Sequence, residues 1–452
     1  LFQQSYGDLM KRILTVAGSD SGGGAGIQAD LKTITLLGGF GMSVVTALTA
    51  QNTVGVSGIH PVPPDFVGQQ LDAVLSDIGA DAVKTGMLHN AGVIAVVSDT
   101  LSAYGVKKIV VDPVMVAKGG DVLLEQEARE TLVAKLVPMA FMVTPNIPEA
   151  EVLSGGSINN EEDVREAARI IRGLGAKYVL IKGGHLGGAA TDCLYDGKDF
   201  FTFSKARVDT RHTHGTGCVY SAAIATYLAK DLDVMEAVRQ AKDFIHTAIR
   251  FGLPLGSGHG PTNPFAQLAR DLEGQRVIAA LLAAFARLHK GSVGELVPEV
   301  QSNLGYALPF AETQQDVAAF PGRLVRVGEG IVSVRDPAFG ASRHVGSIIV
   351  TAMRHDPEVR SAMNIRFSEG LIQKCEALGW RIGSFDRREE PDHIKQQEGS
   401  SLEWGTEQVL SQDTKVPDII FDRGDIGKEP MIRILGRNPD EVVDKVLALL
   451  AD

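Results

Sequence analysis

Ile13-Leu14-Thr15-Val16-Ala17 is followed by Gly18-Ser19-Asp20-Ser21-Gly22-Gly23-Gly24-Ala25-Gly26, which runs straight into Ile27–Leu37. The first run is short, apolar and β-branched; the second is turn-forming; the third carries helical spacing. Strand, glycine turn and helix in that order open a layered α/β fold. The pattern recurs: Val44–Leu48, Ala82–Lys84, Ile109–Val111, Phe141–Val143 and Val179–Ile181 read as buried strands. Between them Phe66–Ile78, Val93–Tyr104, Ala128–Leu136 and Val164–Leu174 have apolar residues at helical spacing. The alternation predicts a mostly parallel sheet covered by helices on both faces.

Polar residues collect where those strands end. Asp112 closes one, Thr144-Pro145-Asn146 another and Lys182-Gly183-Gly184-His185 a third. Open α/β sheets bind ligands at the carboxyl ends of their strands. No Walker A or Gly-x-Gly-x-x-Gly pattern is present, which disfavours a Walker-type ATPase or a Rossmann dehydrogenase. Further on, His214-Gly215-Thr216-Gly217-Cys218 precedes a helix start at Val219–Ile224. Such a turn aims free amides and the positive end of the helix dipole at one point. Phosphate-sized anion binding is expected there, with Cys218 placed where the field would favour a thiolate. Asp30 is a carboxylate near a strand's end, suited to an amine-bearing ring or a hydroxyl, and Gln51 can donate to and accept from a heterocycle.

With 452 residues, 44% hydrophobic and 22% charged, the chain is ordinary globular material for two or three domains. A formal net charge of -11 argues against a nucleic-acid scaffold. The 3 cysteines are scattered without a Cys-x-x-Cys, which fits a reducing, cytoplasmic setting. Cys193 and Cys375 are expected as packed thiols, and His60, His89 and His259 as turn or surface residues. No apolar run is long enough for a membrane span. Met10-Lys11-Arg12 reads as a natural start, with residues 1–9 an extension lacking a signal-peptide core.

The loop-like Gly256–Pro264 and the polar Arg270–Gly274 mark a boundary near 265–275, after which Val277–Leu288 reads as a fresh helix. Beyond it arginines cluster near glycines. Leu324–Val327 and Ile348–Val350 read as strands, Ser368–Leu378 and Pro439–Leu450 as helices. The expected division is 11–268 and 275–452, the second part a smaller α/β or α+β domain.

The run Ala17–Thr33 resembles the hydroxymethylpyrimidine kinase / hydroxymethylpyrimidine-phosphate kinase family of thiamine biosynthesis. So do Thr46–Thr53, Lys84–Leu88, Asp112–Met115, Thr144–Ala150, Lys182–His185 and His214–Cys218, in family order over roughly residues 11–265. That resemblance implies a ribokinase-like fold, a doubly wound α/β sandwich, and a homodimer. It implies a pyrimidine pocket lined by Gly18, Asp30, Gln51, Met87 and Val114, with Mg²⁺ held by Asp112 and Glu149 directly or through water. It further places Asn146 and Lys182 on the phosphates of ATP, Gly215, Thr216 and Gly217 around the anion, and Cys218 where it accepts the substrate's hydroxyl proton or orients that hydroxyl. Two positions depart from the family: His212 stands for an Asn and Val219 for a Thr.

Asn303–Ala307, Gly340–Val345, Ser361–Arg366, Ser384–Arg387 and Pro417–Gly424 are similar to the thiamine-phosphate synthase domain often fused behind this kinase in archaea. The likeness covers about 280–450 and implies condensation of hydroxymethylpyrimidine diphosphate with thiazole phosphate, releasing pyrophosphate. It implies catalytic roles for Arg323 and His344, and phosphate contacts by Asn364, Arg366, Arg423, Lys428 and Arg433. The alternative is a pyrimidine or pyridoxal-type kinase carrying a non-catalytic domain that senses thiamine phosphates.

Overall fold

The computed structural model describes residues 10–115, 126–184, 188–309, 311–391, 400–411 and 415–451. His185 and the proposed extension 1–9 lie outside them. Two compact units divide at Leu268/Ala269.

Among the described residues the first unit is built on nine strands: β1 (Arg12–Asp20), β2 (Phe40–Gln51), β3 (Val56–Pro61), β4 (Ala82–Thr85), β5 (Ile109–Val111), β6 (Met142–Val143), β7 (Tyr178–Ile181), β8 (Ala190–Tyr195) and β9 (Phe200–Lys205). They lie in the order β3-β2-β1-β4-β5-β6-β7-β8-β9. From β2 to β7 every pairing is parallel; β3, β8 and β9 are antiparallel additions at the two edges. Successive side chains feed opposite faces. Leu14, Val16, Val111, Val143, Val179 and Ile181 join one core. Ile13, Val110, Met142 and Leu180 join the other, packed against the apolar, small-residue helix Thr216–Ala229. Strand order reverses between β1 and β4, so the crevice beyond their carboxyl ends is the place for a ligand.

The second unit has a seven-stranded, mainly antiparallel sheet and a separate hairpin, so it is an α/β layer of a different kind. Its strands are β10 (Leu304–Ala307), β11 (Val317–Ala319), β12 (Leu324–Val327), β13 (Gly330–Ser333), β14 (Ala338–Phe339), β15 (Ser361–Arg366), β16 (Ile382–Ser384), β17 (Ile419–Asp422) and β18 (Met431–Gly436). The order is β14-β11-β10-β15-β18-β17-β16, with β12 and β13 paired apart. Helices Glu369–Ala377 and Pro439–Ala448 fall where helical spacing placed them.

Two readings are corrected. Ile348–Val350 is not a strand: it sits in the helix Arg343–His355, capped by the Ser342 hydroxyl. A β-branched run of three is too short to separate a strand from the buried side of a helix. The fresh helix expected over Val277–Leu288 starts earlier: polar Arg270–Gly274 lies inside the continuous helix Ala266–Lys290. Arg270 and Glu273 are good helix formers, and Arg270 is anchored by an ion pair with Asp316 at 2.6 Å.

Candidate active site

A cavity of about 680 Å³ opens at the carboxyl ends of β1, β4, β5 and β7 in the first unit. Its wall is made by two glycine-rich turns. In the first, Asp20 folds the chain around its own carboxylate: Oδ1 accepts from the Gly22 amide at 2.8 Å, Oδ2 from Gly24 at 3.1 Å and Ala25 at 2.8 Å. The second turn is tied to it by His214, whose Nε2 lies 2.8 Å from Asp20 Oδ2. The backbones meet at Gly215, where φ is +79° and a Cβ would fall 1.8 Å from the Gly24 carbonyl oxygen. Only glycine fits on both counts.

Gly215 caps the helix Thr216–Ala229. The Thr216 amide donates back to Thr213's carbonyl at 3.3 Å, and the Val219 amide donates to Gly215 at 2.9 Å. The amides of Gly217 and Cys218 belong to the helix's open first turn. A Cβ on Gly217 would stand 3.5 Å from both Lys182 Nζ and Asp112 Oδ2, so helix start, ammonium and carboxylate converge on one spot. The Thr216 hydroxyl donates to Thr213's carbonyl at 2.7 Å and so secures the turn.

Asp112 follows β5. Its carboxylate accepts from Lys182 Nζ at 2.8 Å and from the Ser221 hydroxyl at 3.2 Å. Burial resists its charge, yet Lys182 and Lys84 hold it below the ordinary aspartate value. Glu149 behaves oppositely: burial, opposed by Lys182 and reinforced by the Asp112 charge, pushes it up to about 7. Two buried carboxylates on one wall form a sparse hard-oxygen donor set, and it fits a cation whose remaining ligands come from substrate phosphates. Asn146 lines the cavity too, but its Oδ1 caps the following helix by accepting from the Glu149 amide at 2.9 Å. Glu149 Oε2 returns the bond to the Asn146 amide at 2.8 Å. Lys182 and Asn146 are bridged side by side in the backbone, which sets the lysine beside that cap.

The opposite end of the cavity is apolar. Gly18, Met87 and Val114 come together there, Met87 Sδ 3.3 Å from where a Gly18 Cβ would be, and Gln51 lines the same space. Asp30 does not. It is fully buried behind Lys84, bonded at 2.8 and 3.0 Å to that ammonium and at 2.6 Å to the Thr15 hydroxyl. The expectation that Asp30 lines the pocket is therefore corrected. Lys84 reaches the cavity in its place, its positive charge secured by Asp30 against the penalty of burial.

The expected thiolate is corrected as well. Burial pushes the half-buried Cys218 thiol up to about 11, because Asp30 and Asp112 offset what Lys84 and the Gly26 amide contribute. Sequence reasoning also passed over Asp20, His214 and Lys84, which lie inside motifs already singled out. A further group had no sequence signal: Asp192 accepts from Tyr220 at 2.9 Å, from Lys242 at 2.7 Å and from the Gly183 amide at 3.1 Å.

The second unit has its own cavity, about 760 Å³. Arg323, His344, Asn364, Lys428 and Arg433 line it, as does Arg387. Arg323 is exposed, has φ +72° and donates to the Val300 carbonyl. His344 is in the first turn of the helix capped by Ser342. Asn364 is committed to the frame: Oδ1 accepts from the Asn303 amide at 2.7 Å and Nδ2 donates to Gln301's carbonyl at 3.1 Å. Arg366 and Arg423 are corrected, since neither lines the cavity; both are exposed, and Arg423 pairs with Glu369. Arg366 shares Asn364's face of β15 but stands at the strand's exposed last position, and Arg423 lies just past the end of β17.

The profile of the family described as phosphomethylpyrimidine kinase matches residues 20–263, and that of thiamine-phosphate synthase ThiN matches 280–448. The chain is 35% identical to the bifunctional thiamine biosynthesis protein ThiDN of Methanocaldococcus jannaschii over 439 residues, 96% of this chain and 97% of that one. It is 59% identical over 252 residues to the thiamine biosynthesis bifunctional protein ThiED of Geobacter sulfurreducens, covering 56% of this chain and about half (51%) of that one. A Bacillus subtilis pyridoxal kinase solved with ADP superposes with a TM-score of 0.55 at 41% identity, covering 57% of this chain and 99% of the other. Two glycine turns sharing one carboxylate, followed by an arginine-lined second unit, are thus features of a chain that belongs to the phosphomethylpyrimidine kinase family, in the form that carries a ThiN domain behind the kinase.

Proposed function

We propose that the first unit uses ATP to phosphorylate 4-amino-5-hydroxymethyl-2-methylpyrimidine and then its monophosphate, and that the second unit joins the resulting diphosphate to thiazole phosphate, giving thiamine phosphate and pyrophosphate. The observation that carries this reading is the convergence of Lys182 and Asp112, each 3.5 Å from where a Gly217 Cβ would stand, at the start of a buried helix. Phosphoryl transfer asks for positioning and charge stabilisation, and those groups supply both.

The pyrimidine ring stacks in the apolar end, against Met87 and Val114, with Gln51 reading its edge. Lys182, the amides of Gly217 and Cys218 and the helix dipole draw charge from the transferring phosphoryl group. Asp112 and Glu149 hold Mg²⁺, which when bound neutralises the phosphates of ATP. The substrate oxygen forms its bond to the γ-phosphorus while the bond to ADP breaks, and the hydroxyl proton passes to an oxygen of the transferred phosphoryl group as that bond completes. A thiol whose pKa burial pushes up to about 11 stays protonated and orients this hydroxyl rather than abstracting the proton. In the second unit Arg323 and His344 attend the departing pyrophosphate, with Lys428 and Arg433 on phosphate. A homodimeric, cytoplasmic enzyme belongs to the same proposal, and among the described residues no helix is long and apolar enough to cross a membrane.

Purified chain given the hydroxymethylpyrimidine, Mg-ATP and thiazole phosphate should form thiamine phosphate. Cys218→Ala should remove the phosphorylations yet spare condensation from supplied diphosphate, and His344→Ala should do the reverse. Loss of both activities in either variant defeats the two-site reading. Diphosphate accumulating without condensation in the unaltered chain leaves a kinase with a sensing domain. The likeness to a pyridoxal kinase supports one other reading of the first cavity, and the ratio of kcat/KM for pyridoxal and the hydroxymethylpyrimidine decides between them.

A further inference from the structure

The deepest wall of the second cavity holds more positive than negative charge. Asp422, at the end of β17, is fully buried. Arg387 meets it with two bonds, Nε to Oδ1 at 2.7 Å and a terminal nitrogen to Oδ2 at 3.1 Å. Arg433, on β18, donates to the same Oδ2 at 2.6 Å. Relative exposure is 7% for Arg387 and 1% for Arg433. Two guanidiniums therefore share one carboxylate out of water, and one positive charge is left over. Among the described residues Arg433 Nε has no hydrogen-bond partner at all.

Among the described residues, the other acids near the cavity are engaged by other groups. Lys428 pairs with buried Glu390 at 3.3 Å. Glu429 also lines the cavity, but its carboxylate accepts from the amides of Glu299 and Val300 at 2.9 and 3.0 Å. An uncompensated buried charge is strongly unfavourable unless something opposite occupies the site. Arginine's planar fork suits a tetrahedral oxyanion, and Asp422 holds both forks in place.

We infer that Arg387 and Arg433, set on the carboxylate of Asp422, are the seat of a phosphate monoester: the group that the thiazole substrate brings and the product keeps. This rests on the condensation proposed above and adds Arg387 as a binding residue. The assignment follows from depth. A phosphate that takes no part in bond breaking can be held on the buried wall, whereas the diphosphate carries the breaking bond and needs the catalytic groups beside it. Arg323 and Arg343 are exposed cations on the same cavity, with His344 also exposed there, and they suit the group that departs.

The test uses the full chain, supplied with pyrimidine diphosphate and thiazole phosphate. Arg387→Met leaves Asp422 and Arg433 as a one-to-one pair, so the fold keeps its buried charge balanced. KM for thiazole phosphate should rise about 10- to 100-fold, the usual range for loss of a buried charged contact. KM for the diphosphate should stay within about threefold, and Arg387→Lys should recover part of the loss. Calorimetry comparing thiazole phosphate with the unphosphorylated thiazole alcohol separates binding from turnover. The unaltered chain should prefer the phosphate, and Arg387→Met should erase most of that preference. A rise in the diphosphate KM instead, or no change in either, overturns the inference. If the unaltered chain binds thiazole phosphate through Arg387 but makes no product, the seat stands and the synthase reading falls. If Arg387→Met fails to fold, Arg387→Lys carries the same comparison.

Discussion

His214 Nε2 and Asp20 Oδ2 stand 2.8 Å apart although 194 residues separate them. Asp20 also receives three backbone amides of its own turn, so one carboxylate shapes both walls of the phosphoryl-transfer cavity. Burial resists its ionisation, and the His214 bond with the Ala25 and Gly22 amides holds it below the usual aspartate value. Asp20→Ala should free both turns. Because a misplacement of about 1 Å can lower a rate about 100-fold, kinase kcat/KM should fall by about that factor. Condensation from supplied diphosphate should be untouched. Steady-state assays of the two reactions check this, and a kinase rate within a fewfold of the parent would show that the turns hold themselves.

The parallel strands were legible because each is a short β-branched run ending in a polar residue, as with Ile109–Val111 and Asp112. The antiparallel edges were not. β3 alternates weakly and is largely exposed, so no apolar period announces it. Among site residues, glycines and strand-end carboxylates could be found from their neighbours in the chain. The state of Cys218 could not, since burial by distant residues, not the adjacent helix start, decides its acidity. Asp30 was misplaced for the same reason: its partner Lys84 is 54 residues away.

That Asp30–Lys84 pair makes a stability argument. Both side chains are wholly buried, with Nζ 2.8 Å from Oδ2. Removing one partner strands a charge in the core, which typically costs about 3–5 kcal/mol. Lys84→Met alone should therefore lower the denaturation midpoint sharply. Lys84→Met with Asp30→Leu should regain most of the loss, because an apolar pair of similar size has no charge to desolvate. Additive destabilisation in the double variant would mean that the pair is not acting as a unit.

Cys218 offers a pH readout. With its thiol pushed up to about 11, the thiolate fraction near pH 8 is about 100-fold lower than for a cysteine at its ordinary value. A raised thiol pKa lowers the reactive fraction at every pH below it, so alkylation by iodoacetamide should be slow at pH 8 and climb about tenfold per pH unit through pH 10. Mass spectrometry of the Cys218 peptide against time gives the rate. Fast labelling at pH 7 would restore the thiolate and with it a general-base role.

Arg323 presents the reverse case, a strained residue that function explains. It is an exposed arginine with φ +72°, directly after Gly322 at +78°. Non-glycine residues adopt that region at a cost, and such outliers gather at working sites. Arg323→Gly keeps the turn and relieves the strain while deleting the guanidinium. Thermal unfolding of that variant should match or exceed the parent, whereas condensation should fall by about 100-fold or more, the usual scale for losing a charge-stabilising group. Arg323→Lys keeps the charge but loses the fork, and should recover only a fraction. A variant as active as the parent would strip the turn of its catalytic meaning; one that unfolds early would show that the side chain's bond to the Val300 carbonyl, rather than the reaction, keeps Arg323 in that conformation.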